Sequence, residues 1–259
     1  MILLIIQARL SSTRLPGKVL KSLLDKPMLQ RQIERIHFAK NFDKIVVATS
    51  NDPSDDPIEQ FCKKIAVYCY RGSLDDVLDR FYQCALRHQA KHIVRITADC
   101  PLIDPEIIDQ VIQEHLLQHN DYTSNVGIET YPDGLDVEIL TFSALEKCWT
   151  EAKKPSEREH LTSYIRSNLS LFKTSNIESK INRAHHRWTV DHEEDFLLVE
   201  TIYKHLLKDN IRFTSNDIYL LLEKNPQMMA INKNHQRNEG YFLSLKKENA
   251  PQKNSTLNL

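Results

Sequence analysis

Short apolar runs alternate with helical patterns through the first half of this chain, and that alternation limits the fold more than any other feature. Residues 1–6, 44–49, 65–70 and 92–97 are brief runs of aliphatic and β-branched residues bounded by polar ones, and they read as buried strands. Helical patterns lie between them. Pro27 opens one in which Met28, Leu29, Ile33 and Ile36 recur on one face. Asp55, Asp56 and Pro57 start a second, with Ile58, Phe61 and Cys62 inward. Ser73 is placed as the N-cap of a third that runs through about Gln89, and Asp104-Pro105-Glu106 starts a fourth. Repeated strand–helix–strand units predict an α/β fold, Rossmann-like, with a mostly parallel sheet and helices on both faces.

The second half is less regular. Residues 121–125 read as a short strand, then Gly127, Pro132 and Gly134 mark a loop, and 135–140 alternates like a strand. Helices are expected over 141–153 and 156–168, separated by Pro155. This stretch, about 121–175, is read as an insertion that closes over a ligand or pairs two subunits. Residues 187–190 form another expected strand, ending at Asp191, and 195–207 and 215–223 are amphipathic. From Lys246 the chain turns polar, so residues 1–245 are expected as one domain and 246–259 as a disordered tail.

A length of 259 residues with 41% hydrophobic content supports a sizeable core. The formal net charge of -1 gives no general attraction to nucleic acid or to anionic membrane, so neither partner is expected and any anion binding must be local. Five cysteines, with no C-x-x-C pair, point to reduced thiols in a cytoplasmic protein, without a zinc site or a disulfide framework. The apolar run 1–6 is too short for a signal-peptide core, and no stretch is long enough to span a bilayer.

The first strand runs directly into Gln7-Ala8-Arg9-Leu10-Ser11-Ser12-Thr13-Arg14-Leu15-Pro16-Gly17-Lys18. Open α/β sheets bind ligands at the carboxyl ends of their strands, where this segment is expected. Arg9 and Arg14 offer planar forks to phosphate oxygens and Lys18 a compact charge, while Ser11, Ser12 and Thr13 add hydroxyl donors. Gly17 allows close backbone approach. Neither the Walker A spacing nor G-x-G-x-x-G is present, and a solvated basic loop fits the charges alone. Asp99 and Asp191 each end an expected strand at the same edge. Two carboxylates facing an anionic site suit Mg²⁺, which takes a few carboxylates together with waters and phosphate oxygens. Each could instead cap the element that follows it.

The residues Ala8, Arg9, Ser12, Arg14, Leu15, Pro16 and Lys18 match the opening signature A-R-x-x-S-x-R-L-P-x-K of the cytidylyltransferases that activate acidic sugars. The chain is most similar to the branch called spore coat polysaccharide biosynthesis protein F, through R-G-S-L-D-D-V-L-D-R-F (71–81), R-I-T-A-D-C-P-L-I-D (95–104), G-L-D-V-E (134–138), E-R-E-H-L-T (157–162) and W-T-V-D-H-E-E-D (188–195). This resemblance implies the nucleotide-diphosphosugar transferase fold, CTP as donor, a small acidic sugar as acceptor, Mg²⁺ as cofactor and a homodimer. It also implies that Ala8, Arg9, Ser12, Arg14, Lys18 and Asp99 hold the nucleotide, with Arg9, Arg14 and Lys18 acting on the triphosphate. Asp99 and Asp191 become the metal ligands, and Arg71, Gly72 and Ser73 resemble the segment that recognises the base. Where the synthetases read Q-G-D-E-P, this chain has T-A-D-C-P, with Cys100 in place of the glutamate.

For the acceptor sugar the candidates are Asn125, Asp136, Glu138, Glu159 and His160 in the irregular middle. His160 has a side chain suited to orienting or deprotonating a hydroxyl. The expected reaction is attack of the sugar's anomeric hydroxyl on the α-phosphorus of CTP, with release of pyrophosphate. Two other readings stay open here. A GT-A-like glycosyltransferase would normally carry D-x-D, which this sequence lacks; the other is a catalytically silent nucleotide-binding subunit.

Overall fold

The computed structural model describes residues 1–208, 210 and 212–248. Its strands are β1 (Ile2–Gln7), β2 (Ser22–Leu23), β3 (Lys26–Pro27), β4 (Lys44–Ser50), β5 (Tyr68–Gly72), β6 (His92–Thr97), β7 (Tyr122–Ser124), β8 (Glu138–Thr141) and β9 (Thr174–Asn176). Its helices are α1 (Met28–Ile36), α2 (Asp56–Lys64), α3 (Val77–Arg87), α4 (Pro105–Gln118), α5 (Phe142–Glu151), α6 (Pro155–Glu159), α7 (Ser163–Ser167), α8 (Glu193–Leu206), α9 (Ser215–Lys224) and α10 (Glu239–Glu248). Seven strands form one sheet in the order β5-β4-β1-β6-β8-β7-β9, and β2 and β3 form a separate hairpin.

β1 is central and parallel to both neighbours, β4 and β6. β5 extends the parallel half, whereas β8 runs antiparallel to β6 and β7. The alternating side chains of β1 feed two cores. Leu4 and Ile6 pack with Val47, Val94 and Ile96 beneath α1, α4 and α8, while Leu3 and Ile5 pack with Val46, Ala48 and Ile93 beneath α3 and α5. Helices therefore cover both faces, as the sequence predicts. Among the described residues no helix is long and apolar enough to cross a membrane.

Several local expectations shift. The third strand begins at Tyr68, not at residue 65, because α2 runs to Lys64 and Ala66 turns the chain at φ 56. Ser73 is not the cap of α3. Asp76 is, accepting from Asp79 N at 2.8 Å, while Ser73 Oγ accepts from Asp76 N at 3.0 Å. The single helix expected over 156–168 breaks into α6 and α7. At the break His160 is extended, and Thr162 donates to Glu138 at 2.7 Å. The strand expected over 135–140 starts at Glu138, so Asp136 precedes it. Residues 187–190 make one bridge, Arg187 to Asp133, and otherwise lie across the strand ends. Trp188 N and Thr189 N both donate to the Asp133 carbonyl, and Val190 N donates to that of Asp99. The insertion contributes β7 and β8 to the sheet itself. Of the expected tail, residues 246–248 end helix α10, and residues 249–259 lie outside the described residues.

One buried group gives the fold a pH signature. His115 on α4 is 1% exposed, its Nε2 lies 3.0 Å from His92 Nδ1, and its Nδ1 lies 3.3 Å from Thr123 Oγ1. Burial, helped by nearby His92, lowers its pKa to about 4. The unfolded chain binds a proton near pH 6.5, where the folded chain does not, so this group leaves folding unaffected above that pH and opposes it as the pH falls toward 4. Measured by denaturant midpoint, the native protein should lose ~1–3 kcal/mol relative to His115→Gln between pH 7.5 and 4.5. A stability difference independent of pH would contradict this.

Candidate functional site

β1 and β6 end in register at Gln7 and Thr97, so the basic loop and Asp99 leave the sheet side by side. The loop is tied back on itself by Ser12 N and Gly17 N, which donate to the Leu10 carbonyl at 2.9 and 3.1 Å. It is tied to the scaffold by Asp55, fully buried, whose carboxylate accepts from Leu10 N at 2.7 Å and Ser50 N at 3.1 Å. Gly17 at φ 71 then turns the chain into a short 3-10 turn, Lys18–Leu20, which aims Lys18 inward.

Lys18 is 7% exposed. Its ammonium donates to Asp99 Oδ2 at 3.1 Å, Asp191 Oδ1 at 2.8 Å and the Val190 carbonyl at 2.7 Å. An ammonium has three N–H donors, and all three are used. Burial pulls the Lys18 pKa down, but Asp99 and Asp191 outweigh it, and the pKa is raised above its ordinary value. The two carboxylates also answer to burial first, which favours their neutral forms, and Lys18 reverses the balance, holding both below the usual range.

Asp191 is further held by Arg14 at 2.9 Å and Arg187 at 3.1 Å. Arg187 also reaches Asp133 Oδ2 and Asp195 Oδ1, each at 2.9 Å, and the Gln236 carbonyl at 3.0 Å. Asp195 in turn accepts from Asp191 N and His192 N at 3.0 Å at the start of α8. Arg187 therefore fixes the position of Asp191 relative to both α8 and the 131–135 loop.

Two cavities meet here. The larger, about 700 Å³, is lined by the loop with Ala8, Arg9, Ser12, Arg14 and Lys18, by Ser73–Asp76 opposite, and by Arg158 and Glu159 of α6. The smaller, about 210 Å³, is lined by Arg95, Asp136, Glu138, His160, Arg166 and Arg237, among others. Arg14, Thr97, Asp99, Asp191 and Gly240 line both. Arg9 forms no ion pair among the described residues and stands exposed at the larger cavity.

Most of the candidates come together, and three do not line either cavity. The Arg71 guanidinium is turned away onto the Ser50 and Asp52 carbonyls (2.8 and 2.9 Å) and onto Asp56 and Glu59 (2.6 and 2.8 Å). Gly72 packs on Arg80, whose Cγ would lie 2.9 Å from an added Cβ. Asn125 is fully buried, its amide spent on the Leu135 carbonyl and Val137 N at 2.8 and 2.9 Å. Of that segment only Ser73 faces the larger cavity. Glu138 lines the smaller cavity, but its carboxylate is committed to Arg95, to Tyr122 Oη at 2.6 Å and to Thr162 Oγ1 at 2.7 Å. Burial pushes Asp136 up to about 6 against the pull of Arg237, which it meets at 2.7 Å. Burial lowers His160 to about 4, leaving a neutral imidazole whose Nε2 has no hydrogen-bond partner among the described residues. Cys100 is 3% exposed, and burial raises its thiol well above the ordinary range, so it is packed rather than reactive.

Sequence reasoning missed Arg95, Arg187, Arg237, Asp55 and Asp195. A lone charge within the run H-I-V-R-I-T was a usable signal for Arg95, since a charge in a buried strand needs a partner. Asp195 sits three residues after the N-cap of α8, a local helix-start spacing that was a usable signal, whereas Arg237 meets its partners only through long-range packing.

The sequence model of the family described as cytidylyltransferase matches residues 3–231. The spore coat polysaccharide biosynthesis protein SpsF of Bacillus subtilis is 34% identical over 232 residues, covering 87% of this chain and 95% of that protein. The 8-amino-3,8-dideoxy-manno-octulosonate cytidylyltransferase of Shewanella sediminis is 33% identical over 147 residues, 56% of this chain and 54% of that one. A solved structure of a cytidylyltransferase from Leptospira borgpetersenii superposes with a TM-score of 0.85 at 32% identity, covering 91% of this chain and 98% of that chain. The fold is therefore the nucleotidyltransferase form of the Rossmann-like sheet, as the resemblance implied.

Gly134 lets the Asp133 loop lie against residues 187–190. At φ 107, an added Cβ would meet Thr189 N at 2.5 Å and the Trp188 carbonyl carbon at 2.6 Å, both backbone atoms that cannot swing aside. Gly134→Ala should destabilise the protein by more than ~3 kcal/mol in denaturant titration, because it combines backbone strain with displacement of the Arg187 support. A loss below ~0.5 kcal/mol would contradict this packing.

Proposed function

The chain belongs to the cytidylyltransferase family, and from that premise we propose that it transfers CMP from CTP to the anomeric hydroxyl of an acidic sugar, releasing pyrophosphate. The observation that carries this reading is the shared wall between the cavities. A phosphate-suited basic loop lines one side, a smaller polar cavity the other, and Asp99 and Asp191 stand where they meet. Donor α-phosphorus and acceptor hydroxyl have to meet at such a boundary for in-line attack.

The larger cavity takes the nucleotide. Arg9, free of carboxylate partners among the described residues, and the hydroxyls of Ser11, Ser12 and Thr13 face the triphosphate, with Arg14 behind them. Lys18 is occupied by Asp99, Asp191 and Val190, so its first role is to keep both carboxylates ionised and in place. The smaller cavity takes the sugar. Arg14, Arg95 and Arg237 are paired there with carboxylates, whereas Arg166 has no ion-pair partner among the described residues, and its guanidinium lies 5.4 Å from the Tyr241 ring centroid. Arg166 supplies the charge for the sugar's carboxylate. His160, neutral at physiological pH, accepts a hydrogen bond or a proton from a hydroxyl. The Shewanella relative is a cytidylyltransferase for an octulosonate, itself a sugar acid, which supports an acidic sugar as acceptor.

Mg²⁺ fits the donor set. Asp99 and Asp191 already converge on one cationic centre, and among the described residues the hydrogen bond to Asp99 Oδ1 is the weak one from the Cys100 thiol at 3.5 Å. Mg²⁺ needs little more from protein, since it retains waters and takes phosphate oxygens. Held by Asp99 and Asp191, it would offset charge on the α-phosphate. The setting we propose is cytoplasmic surface-polysaccharide or glycan synthesis, with the chain working as a homodimer.

The test is a coupled pyrophosphate-release assay with CTP, UTP, ATP and GTP against a panel of sugar acids, with and without Mg²⁺. CTP with one sugar acid should release pyrophosphate, and chelation should stop it. Asp99→Asn should lower turnover by about a hundredfold or more, the usual cost of losing an electrostatic group at a reacting centre. The variant should stay folded with a lowered melting temperature, because Lys18 keeps only one of its two carboxylate partners. Near-normal turnover in that variant would remove Asp99 from the reaction.

A further inference from the structure

Helix α10 begins with Glu239 seated on the basic loop. Glu239 Oε2 accepts from Arg14 Nη1 at 2.8 Å and lies 3.1 Å from His192 Nε2. The other terminal nitrogen of Arg14 is 2.9 Å from Asp191, so both ends of the guanidinium fork hold carboxylates. The helix lies along the line where the cavities join. Gly240 and Ser244 line the larger, and Gly240 and Tyr241 the smaller. Its N-terminal end is braced by Tyr241, which meets the His160 ring edge-on at 5.2 Å, and its far end by Glu248, which accepts from Ser156 N at 3.1 Å. The helix also follows the region that the family model matches, residues 3–231.

The fork that Glu239 fills is one that a nucleotide's phosphates would also claim. Arg prefers bidentate oxyanion partners, and a triphosphate carries several negative charges where Glu239 carries one. A carboxylate tethered next to the fork competes at high effective concentration, and triphosphate charge arriving beside it repels it. The Arg14 and Glu239 side chains are 24% and 39% exposed, so the pair is screened and can be displaced.

We propose that Glu239 is a tethered competitor for the phosphate site: its carboxylate occupies Arg14 in the free protein, and nucleotide binding expels it and frees the first turn of α10 from the cavities. This rests on the reading of the larger cavity as the CTP site. Substituting glutamine keeps the size of the side chain and removes its charge. By titration calorimetry of the full chain, Glu239→Gln should bind CTP about fivefold more tightly than the native protein, the scale of a screened ion pair. Equal or weaker binding by the variant, with the native protein binding CTP, overturns the competitor role alone. Absence of CTP binding by both proteins overturns the functional reading and the competitor role with it. Hydrogen exchange gives an independent readout. Amides of residues 239–248 should exchange faster once CTP is added to the native protein. Slower exchange would mean that the helix clamps onto the nucleotide, and would overturn the proposal.

Discussion

The ammonium of Lys18, held between Asp99, Asp191 and the Val190 carbonyl, is the interaction on which the rest of the site depends. It joins positions 81 and 173 residues apart in the chain. Removing one charge from water costs several kcal/mol, so a buried ammonium persists only where opposite charges and hydrogen bonds compensate it. Here the compensation is mutual. Burial disfavours the charged form of all three groups, and their mutual attraction outweighs it, holding both carboxylates below and the ammonium above their ordinary pKa values. A functional site on a sheet edge needs this kind of fixed charge, since charge already in place need not be reorganised during reaction.

Around that centre the fold supplies rigidity in layers. The register of β1 with β6 sets the separation of the loop from Asp99. Asp55 holds the loop from below, and Arg187 holds Asp191 from behind by reaching Asp133 and Asp195 at once. Each of these groups is buried and bonded on several sides, so each side chain has one low-energy arrangement rather than several. The loop after β1 and residues 73–76, with α6 opposite, frame the larger cavity, whereas Glu138 of β8 and the segment from His160 to Arg166 help frame the smaller.

What was legible in the sequence follows from what is local. The strand–helix alternation gave the sheet and its two-sided packing, because period-two and helical spacings are set by neighbours in the chain. The loop from Ala8 to Lys18 and the acids Asp99 and Asp191 were legible because strand ends in such sheets share an edge. Arg71 was misjudged because its charge said nothing of Asp56 and Glu59, which capture it one helix earlier. Asn125 and Glu138 read as sugar ligands from their polarity, yet both are consumed in bracing the backbone and Arg95. The strand expected over 187–190 failed for a related reason. Its apolar pattern is real, but Trp188 and Val190 are buried against the strand ends instead of being paired within the sheet. Arg237 and helix α10 reach the site only through tertiary packing, which no short window of sequence encodes.

The central claim is that the basic loop and the two aspartates frame one nucleotide site. A crystal structure of the protein grown with CTP and Mg²⁺ tests this most directly. The account predicts triphosphate density along residues 9–18, with the α-phosphate beside Asp99 and Asp191 and the ribose directed toward Ser73–Asp76. Nucleotide density on another face of the sheet, with this pocket holding only solvent, would contradict it.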